Sequence, residues 1–181
     1  MSLWVVRHAQ PLIAPGICYG ALDVPADPVA TEQAAQALAQ VLPHGAVLHT
    51  SVLQRCEQLA QVICGLRPDL VRKPEPRLVE MNFGEYEGIA WADIPKDALD
   101  AWTQDFAQHR FGGQESVADF MARVAAVWDE CQGAQPDPVW ITHAGVARAA
   151  MLLEQGIRMP HSAQQWPAQA PAFGGWIQLG A

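Results

Sequence analysis

The sequence is poor in basic residues and lacks the familiar metal- and nucleotide-binding motifs. Its 181 residues include 11 Lys and Arg against 19 Asp and Glu, which gives a formal net charge of −8. Nucleic acids and anionic membrane surfaces both require a basic face, so neither is expected as a partner. The sequence has no His-Glu-x-x-His, no Cys-x-x-Cys and no Gly-x-x-x-x-Gly-Lys-Ser. Common zinc sites and the P-loop are therefore excluded, and we expect no metal and no cofactor.

Long apolar runs and paired cysteines are absent too. No apolar run approaches the ~20 residues of a membrane-spanning helix, and no N-terminal stretch has the charged start, apolar run and cleavage site of a signal peptide. We expect a soluble cytoplasmic protein of one domain, residues 1–181, with half of its residues hydrophobic. We interpret the widely separated cysteines as reduced thiols; they are Cys18, Cys56, Cys64 and Cys131.

The tripeptide Arg7-His8-Ala9 follows the apolar run Leu3-Trp4-Val5-Val6, which is typical of a buried strand. Neutral imidazole is a good nucleophile near pH 7. A guanidinium presents a planar fork that matches two phosphate oxygens. The pair at a strand end therefore indicates an anion site with a nucleophile beside it, although taken alone it fits an ordinary surface dipeptide better.

A second cation lies in Thr50-Ser51-Val52-Leu53-Gln54-Arg55-Cys56, which follows the apolar stretch 46–49. The pattern predicts a strand end, an N-cap and a helix with an apolar stripe. Arg55 would lie at the edge of that stripe, where a guanidinium requires an anion. On this segment alone, an arginine that packs its stem and either keeps its head in water or forms a salt bridge is the better interpretation.

Two further segments carry titratable groups. The glycine-punctuated stretch 78–88 contains Glu80, Glu85 and Glu87, and a carboxyl group there is a candidate general acid; spacing does not choose among the three. The stretch 139–146 predicts a strand followed by a helix, with His143 at the junction beside free backbone N–H groups. A histidine that caps the helix, or one that is hydrogen-bonded in the core, is the competing interpretation.

Strands that alternate with helices predict an α/β fold of three layers, α/β/α, with a mostly parallel central sheet. In such a sheet, ligand sites gather at the carboxyl ends of the strands. Arg7, His8 and His143 follow predicted strands, and Arg55 follows a third. Because these residues converge at one edge of the sheet, a common anion site explains them better than separate structural roles.

These segments resemble the histidine phosphatase superfamily, in the branch shared by cofactor-dependent phosphoglycerate mutases and small phosphatases. The resemblance rests on Val6-Arg7-His8-Ala9, on residues 51–56 and 80–88, on Glu115-Ser116, and on Thr142-His143-Ala144-Gly145. It implies a phosphoglycerate mutase-like fold. The chain departs from the family at Ala9, where glycine is usual, and at Gln114, near a loop that borders the pocket in relatives.

The resemblance implies a role for each residue at the strand ends. His8 would be the nucleophile that becomes phosphohistidine, and Glu80 would donate a proton to the leaving oxygen. Arg7, Arg55 and His143 would hold the transferring phosphoryl group. Phosphoryl transfer spreads negative charge over three equatorial oxygens, so positioned cations suit this chemistry without a metal.

A looser resemblance is to bacterial α-ribazole phosphatases. It rests on Gly16-Ile17-Cys18-Tyr19-Gly20 and Asp23-Val24-Pro25, within a Pro- and Gly-rich excursion of residues 11–28. It implies α-ribazole 5′-phosphate as a substrate. We expect Gln10 and Tyr19 to bind substrate, and Cys18 and Asp23 are further candidates for the pocket wall. Packing of a surface loop is the alternative for the residues of this excursion.

The region 89–113 reads as a helical, lid-like insertion. Leu99, Trp102 and Phe106 recur at helical spacing. With Trp91 they form either a lid over the substrate or, more commonly for such a pattern, part of the core. Beyond it, Ser116 and Asp119 predict a capping box that opens an amphipathic helix, and residues 176–179 predict an edge strand.

Three functions are open at this stage. The first is a phosphomonoesterase that works on a small phosphate ester through phosphohistidine, with water as the final acceptor. The second is a phosphoglycerate mutase-type transfer to a second hydroxyl. The third is a non-catalytic phosphate-binding regulatory module. The presence of both a nucleophile and an acid favours turnover, and the sequence does not indicate the oligomeric state.

Overall fold

The central sheet has five strands in a computed structural model that describes residues 2–180. The strands are β1 (Ser2–Arg7), β2 (Val47–Thr50), β3 (Val71–Pro74), β4 (Val139–Thr142) and β5 (Trp176–Gly180). Their order across the sheet is β3-β2-β4-β1-β5. The first four in this order run parallel, and β5 pairs antiparallel with β1 at the sheet edge. The predicted mostly parallel sheet and the predicted edge strand are both confirmed.

Helices cover both faces of the sheet and give the predicted three layers. They are α1 (Pro28–Val41), α2 (Gln54–Leu66), α3 (Lys96–Gln104), α4 (Val117–Cys131) and α5 (Ala144–Glu154). Alternate residues of β1 serve the two cores, because successive side chains of a strand point to opposite faces. Leu3 and Val5 pack with α4 and α5, whereas Trp4 and Val6 pack with α1 and α2. No helix within residues 2–180 is long and apolar enough to cross a bilayer.

The starts of two helices differ from the sequence prediction. After the Pro- and Gly-rich excursion, the sequence predicts a first helix from about Thr31 to Leu42, stopped by Pro43. The structure begins α1 at Pro28, because the Asp27 carboxylate accepts a hydrogen bond from the Ala30 N–H at 2.8 Å and proline suits the first helical position. The second was expected to be capped near Ser51 but begins at Gln54, whose N–H donates to the carboxylate of Asp23. The capping box at the start of α4 is confirmed.

The region 89–113 is an aromatic cluster more than a helix. The structure ends α3 before Phe106, so the predicted helical repeat holds only through Trp102. Phe111 is fully buried at its centre, and the ring centroids of Trp102 and Phe111 lie 4.4 Å apart. Gly112 has a positive φ, and a Cβ there would overlap the Phe83 carbonyl oxygen. This backbone contact joins the region closely to the segment that carries Glu80.

Candidate active site

His8 lies at the carboxyl end of β1 and is 2% exposed. Its Nδ1 lies 2.7 Å from the Ala9 carbonyl oxygen. Because a carbonyl oxygen only accepts hydrogen bonds, Nδ1 carries the ring proton and Nε2 has a lone pair. The Nε of Arg55 donates to that Nε2 at 3.3 Å. Burial, followed by the charge of Arg55, lowers the pKa of His8 to about 3. His8 is therefore a neutral imidazole at physiological pH, in the form that a nucleophile requires.

His143 stands at the junction of β4 and α5 with no exposed surface. It is the N-cap residue of α5 but makes no side-chain capping bond, and its ring is hydrogen-bonded in the core, as the second competing interpretation expected. Its Nε2 lies 2.8 Å from Ser51 Oγ, and its ring centroid lies 5.2 Å from that of His8. Burial, then the charges of Arg55 and His8, holds the pKa of His143 well below its usual value. The structure thus places a second neutral imidazole beside the first, as expected at converging strand ends.

Arg55 is fully buried in the first turn of α2, deeper than the stripe edge that the sequence suggested. Its two terminal nitrogens donate to the carbonyl oxygens of Gly20 and Leu22 at 2.7 and 2.8 Å. The excursion of residues 11–28 therefore folds back onto the anion site. Glu87 holds this excursion in turn, because its carboxylate accepts hydrogen bonds from the backbone N–H groups of Ala21 and Leu22.

The geometry separates the three acids that spacing left equivalent. Glu85 is exposed, and Glu87 is occupied by backbone N–H groups. Glu80 lines the cavity beside His8, and its Oε2 accepts a hydrogen bond of 2.9 Å from the Gly145 N–H at the start of α5. A side chain at Gly145 would overlap the Glu80 carboxylate. Among the three, only Glu80 lines the cavity, so it is the candidate acid.

Two of the three remaining predicted binding residues line the cavity, and the third does not. Arg7 and Tyr19 line the cavity, and the Arg7 guanidinium lies 3.8 Å from the ring centroid of Phe173. Gln10 is exposed and is absent from the cavity wall, although its backbone oxygen accepts a bond from Asp27. Its substrate-binding role stays a prediction. No sequence pattern indicated Phe173, because the C-terminal segment has no periodic pattern.

Two other candidates for the pocket wall lie elsewhere. Cys18 is buried with Ile94 and Phe111 instead of lining the cavity. Asp23 is exposed and holds the start of α2 through Gln54. Both residues therefore shape the excursion and its contacts more than they shape the cavity surface.

Unpaired arginines mark the cavity as an anion site. The 11 basic residues are nine arginines and two lysines. Among residues 2–180, no acidic side chain lies within ion-pair distance of Arg7, Arg55 or Arg148, and Arg7 and Arg148 line the cavity. The other arginines are paired with acids in Arg67–Asp69, Arg72–Glu57, Arg77–Glu75, Arg110–Asp119, Arg123–Glu115 and Arg158–Asp129. A guanidinium at a cavity wall with no acid partner is suited to an anionic ligand.

Beyond the reacting groups, the cavity of about 280 Å³ has mostly aromatic walls. This is the size and character of a small-molecule pocket. The described residues contain no cluster of three or more His, Cys, Asp or Glu that resembles a metal site. The aromatic residues in the wall are Tyr19, Phe83, Trp91, Trp102, Phe106, Phe120 and Trp166.

An ion pair behind the cavity holds the segment that carries Glu80. Arg123 of α4 donates to the backbone carbonyls of Val79 at 2.6 Å and Glu80 at 3.1 Å. Its Nε donates to Glu115, whose carboxylate also accepts the Asn82 N–H at 3.0 Å. Arg123 and Glu115 therefore fix the backbone on both sides of Glu80. Sequence analysis noted Glu115 only as part of the family resemblance and missed Arg123.

Comparisons with known proteins agree with this geometry. Residues 3–170 match the model of the histidine phosphatase superfamily (branch 1). The chain belongs to this family. A putative phosphoserine phosphatase 2 of Hydrogenobacter thermophilus is 29% identical over 161 residues, which is 86% of this chain and 79% of that protein. These relationships support a phosphatase.

Solved structures of similar fold cover nearly the whole of this histidine phosphatase. A mycobacterial glucosyl-3-phosphoglycerate phosphatase in complex with inorganic phosphate is 25% identical, with a TM-score of 0.79 over 99% of this chain and 89% of that chain. A mycobacterial hydrolase 2 is also 25% identical, with a TM-score of 0.80 over 98% of this chain and 80% of that one. The predicted phosphoglycerate mutase-like fold is thereby confirmed.

The close approach of Gly145 to Glu80 generates a first prediction. Gly145→Ala should displace the Glu80 carboxylate and lower kcat/KM for alkyl phosphates by about 10²-fold, the contribution of a positioned general acid. Gly65→Ala in α2 is the matched control, because a Cβ there meets no atom within 4 Å. Steady-state assays of both variants measure the effect, and a loss shared by Gly65→Ala would contradict the explanation.

The Arg123–Glu115 pair generates a second prediction. Arg123→Gln should release the backbone around Glu80, so kcat for alkyl phosphates should fall about tenfold or more while p-nitrophenyl phosphate is affected less. Arg77→Gln is the control, since Arg77 makes comparable ion pairs but holds no carbonyl beside Glu80. Equal losses on both substrates, accompanied by a large fall in Tm, would indicate a purely structural role.

Proposed function

We propose that this histidine phosphatase hydrolyses a small phosphate monoester through a phosphohistidine intermediate at His8, with water as the final acceptor and no metal requirement. The observation that carries this proposal is that a neutral His8, whose unprotonated Nε2 accepts only a long hydrogen bond of 3.3 Å from Arg55, lies beside Arg7 and Arg55, two guanidinium groups without an acid partner within residues 2–180. Cations that face a phosphoryl group stabilise the charge of its transition state, and one such arginine contributes about 10³-fold or more.

The proposed reaction has two balanced steps. In the first, His8 Nε2 forms a bond to phosphorus as the ester P–O bond breaks, and Glu80 gives its proton to the leaving oxygen. In the second, Glu80 accepts a proton from water as the water oxygen attacks phosphorus and the P–N bond breaks. Arg7, Arg55 and His143 hold the equatorial oxygens throughout. The first step releases the alcohol, and the second releases phosphate and restores His8.

The identity of the ester is the open part of this proposal. α-Ribazole 5′-phosphate, which the looser resemblance implied, belongs in the test panel. Phosphoserine and glucosyl-3-phosphoglycerate belong there as well, because relatives of this chain carry these names. We further propose a cytoplasmic location, which is compatible with four free cysteines.

The nucleophile is tested by His8→Ala. This variant should lose phosphatase activity by about 10³-fold or more, because no other imidazole takes over a nucleophile's position. It should keep its fold, since His8 follows the strand core. Acid-quenched wild-type protein should carry phosphohistidine and His8→Ala should not. His44→Ala is the control, because the His44 side chain is 90% exposed. Substantial activity in His8→Ala would contradict the mechanism.

The same assay separates the competing functions. Activity that persists in EDTA supports the metal-free mechanism, whereas loss of activity restored by a divalent ion contradicts it. Phosphoryl transfer to added alcohols in preference to water would indicate a mutase. Absence of turnover on every ester, with phosphate still bound, would indicate a regulatory module.

The acid is tested by Glu80→Gln. Loss of the proton donor should slow hydrolysis of glycerol 3-phosphate by about 10²-fold or more, and of p-nitrophenyl phosphate much less, because a stable leaving group requires little protonation. Glu85→Gln, an exposed residue on the same segment, is the matched control. If the two esters lose equally, the acid role belongs to another residue.

A further inference from the structure

Arg148 has no part in the reaction described above. It lies on α5 one turn beyond Gly145, the residue whose N–H contacts Glu80. It lines the same cavity, on the helix that carries Glu80's partner. Of the three arginines without an acid partner within residues 2–180, Arg7 and Arg55 are explained by the phosphoryl group. Arg148, the third, has no anionic partner among these residues.

The contacts of Arg148 leave its guanidinium largely unused. One terminal nitrogen donates to the Ala168 carbonyl oxygen at 3.3 Å, which is at the long end of the hydrogen-bond range. Its Nε is buried without a hydrogen-bond partner. Most of the hydrogen-bond donors of this guanidinium are therefore available to a ligand in the cavity that Arg148 lines.

The rest of the cavity wall narrows the choice of ligand. Away from Arg7, His8 and Glu80, Arg148 is the only residue with a full charge among those that line the cavity. Its neighbours in the wall are aromatic or aliphatic. A neutral polyol would find few partners for its hydroxyl groups on such a wall. An anionic group carried on a short linker would contact Arg148 while the linker contacts the rings.

We propose that Arg148 binds a second anionic group, a carboxylate or a phosphate, on the leaving-group side of the substrate. This inference rests on the proposed function and specifies its substrate class: a small phosphate monoester with a further negative charge. The guanidinium would make charge-assisted hydrogen bonds to that group and leave the phosphoryl group to Arg7 and Arg55.

The experiment compares esters that differ only in the second anion. In one pair, 3-phosphoglycerate carries a carboxylate where glycerol 3-phosphate carries a neutral alcohol. In another, 4-carboxyphenyl phosphate is set against phenyl phosphate. Propane-1,3-diol bisphosphate and 3-hydroxypropyl phosphate form the phosphate arm. The measured quantity is the ratio of kcat/KM within each pair, which separates recognition of the second anion from the chemistry that both members share.

Wild-type protein should prefer the charged member of the carboxylate pairs or of the phosphate pair by at least about tenfold, the scale of a charge-assisted hydrogen bond. The pair that shows the preference identifies the anion. Arg148→Gln should abolish that ratio, mainly through KM, and Arg148→Lys should restore part of it. Arg158→Gln is the control, because Arg158 is exposed and paired with Asp129.

Two results would overturn the inference without touching the proposed function: hydrolysis of all esters with no preference for the charged members, or equal losses on both members in Arg148→Gln. The second result would mean that Arg148 acts on the shared phosphoryl group. Failure to hydrolyse any ester, aryl phosphates included, would instead overturn the proposed function. Thermal unfolding of each variant shows whether a loss reflects misfolding.

Discussion

The fully buried guanidinium of Arg55 ties the site together. A buried charge is costly unless hydrogen bonds replace its hydration. Here the guanidinium donates hydrogen bonds to the carbonyl oxygens of Gly20 and Leu22 and to the Nε2 of His8. One side chain thus joins the first turn of α2, the excursion after β1 and the nucleophile. These partners of Arg55 are neutral, so its positive charge remains available to an anion. An acid partner would have cancelled that charge.

The start of α5 positions the candidate acid, Glu80. The N–H of Gly145, in the first turn of this helix, donates a hydrogen bond to the Glu80 carboxyl group and holds it at the cavity wall. The helix begins directly after His143, so acid and imidazole are positioned by the same three residues of chain. Glycine at position 145 leaves room for this carboxyl group, because a Cβ there would overlap it unless the Glu80 side chain moved. The Thr-His-Ala-Gly segment is therefore a structural unit as well as a chemical one.

The groups that sequence analysis located are those whose position follows from local pattern. His8 and His143 end apolar strands, and parallel strands bring their carboxyl ends to one edge of the sheet. Arg123, Phe173 and Arg148 gave no such signal. The contacts of Arg123 with the carbonyls near Glu80 join residues more than 40 positions apart, and they involve backbone atoms that every residue type possesses. Such contacts leave no trace in spacing or composition.

The aromatic wall bears on how the pocket selects its ligand. A lid that opens widely would have to separate stacked rings around Phe111, which is fully buried, and break the tight backbone contact between Gly112 and Phe83. Trp91, at 38% exposure, is the wall residue on the outer rim. If only Trp91 moved, the inner aromatic wall of the cavity would keep its shape before ligand binds. Fixed groups would then select the substrate. The aromatic rings would limit the shape of the leaving group, and Arg148 would select for its charge.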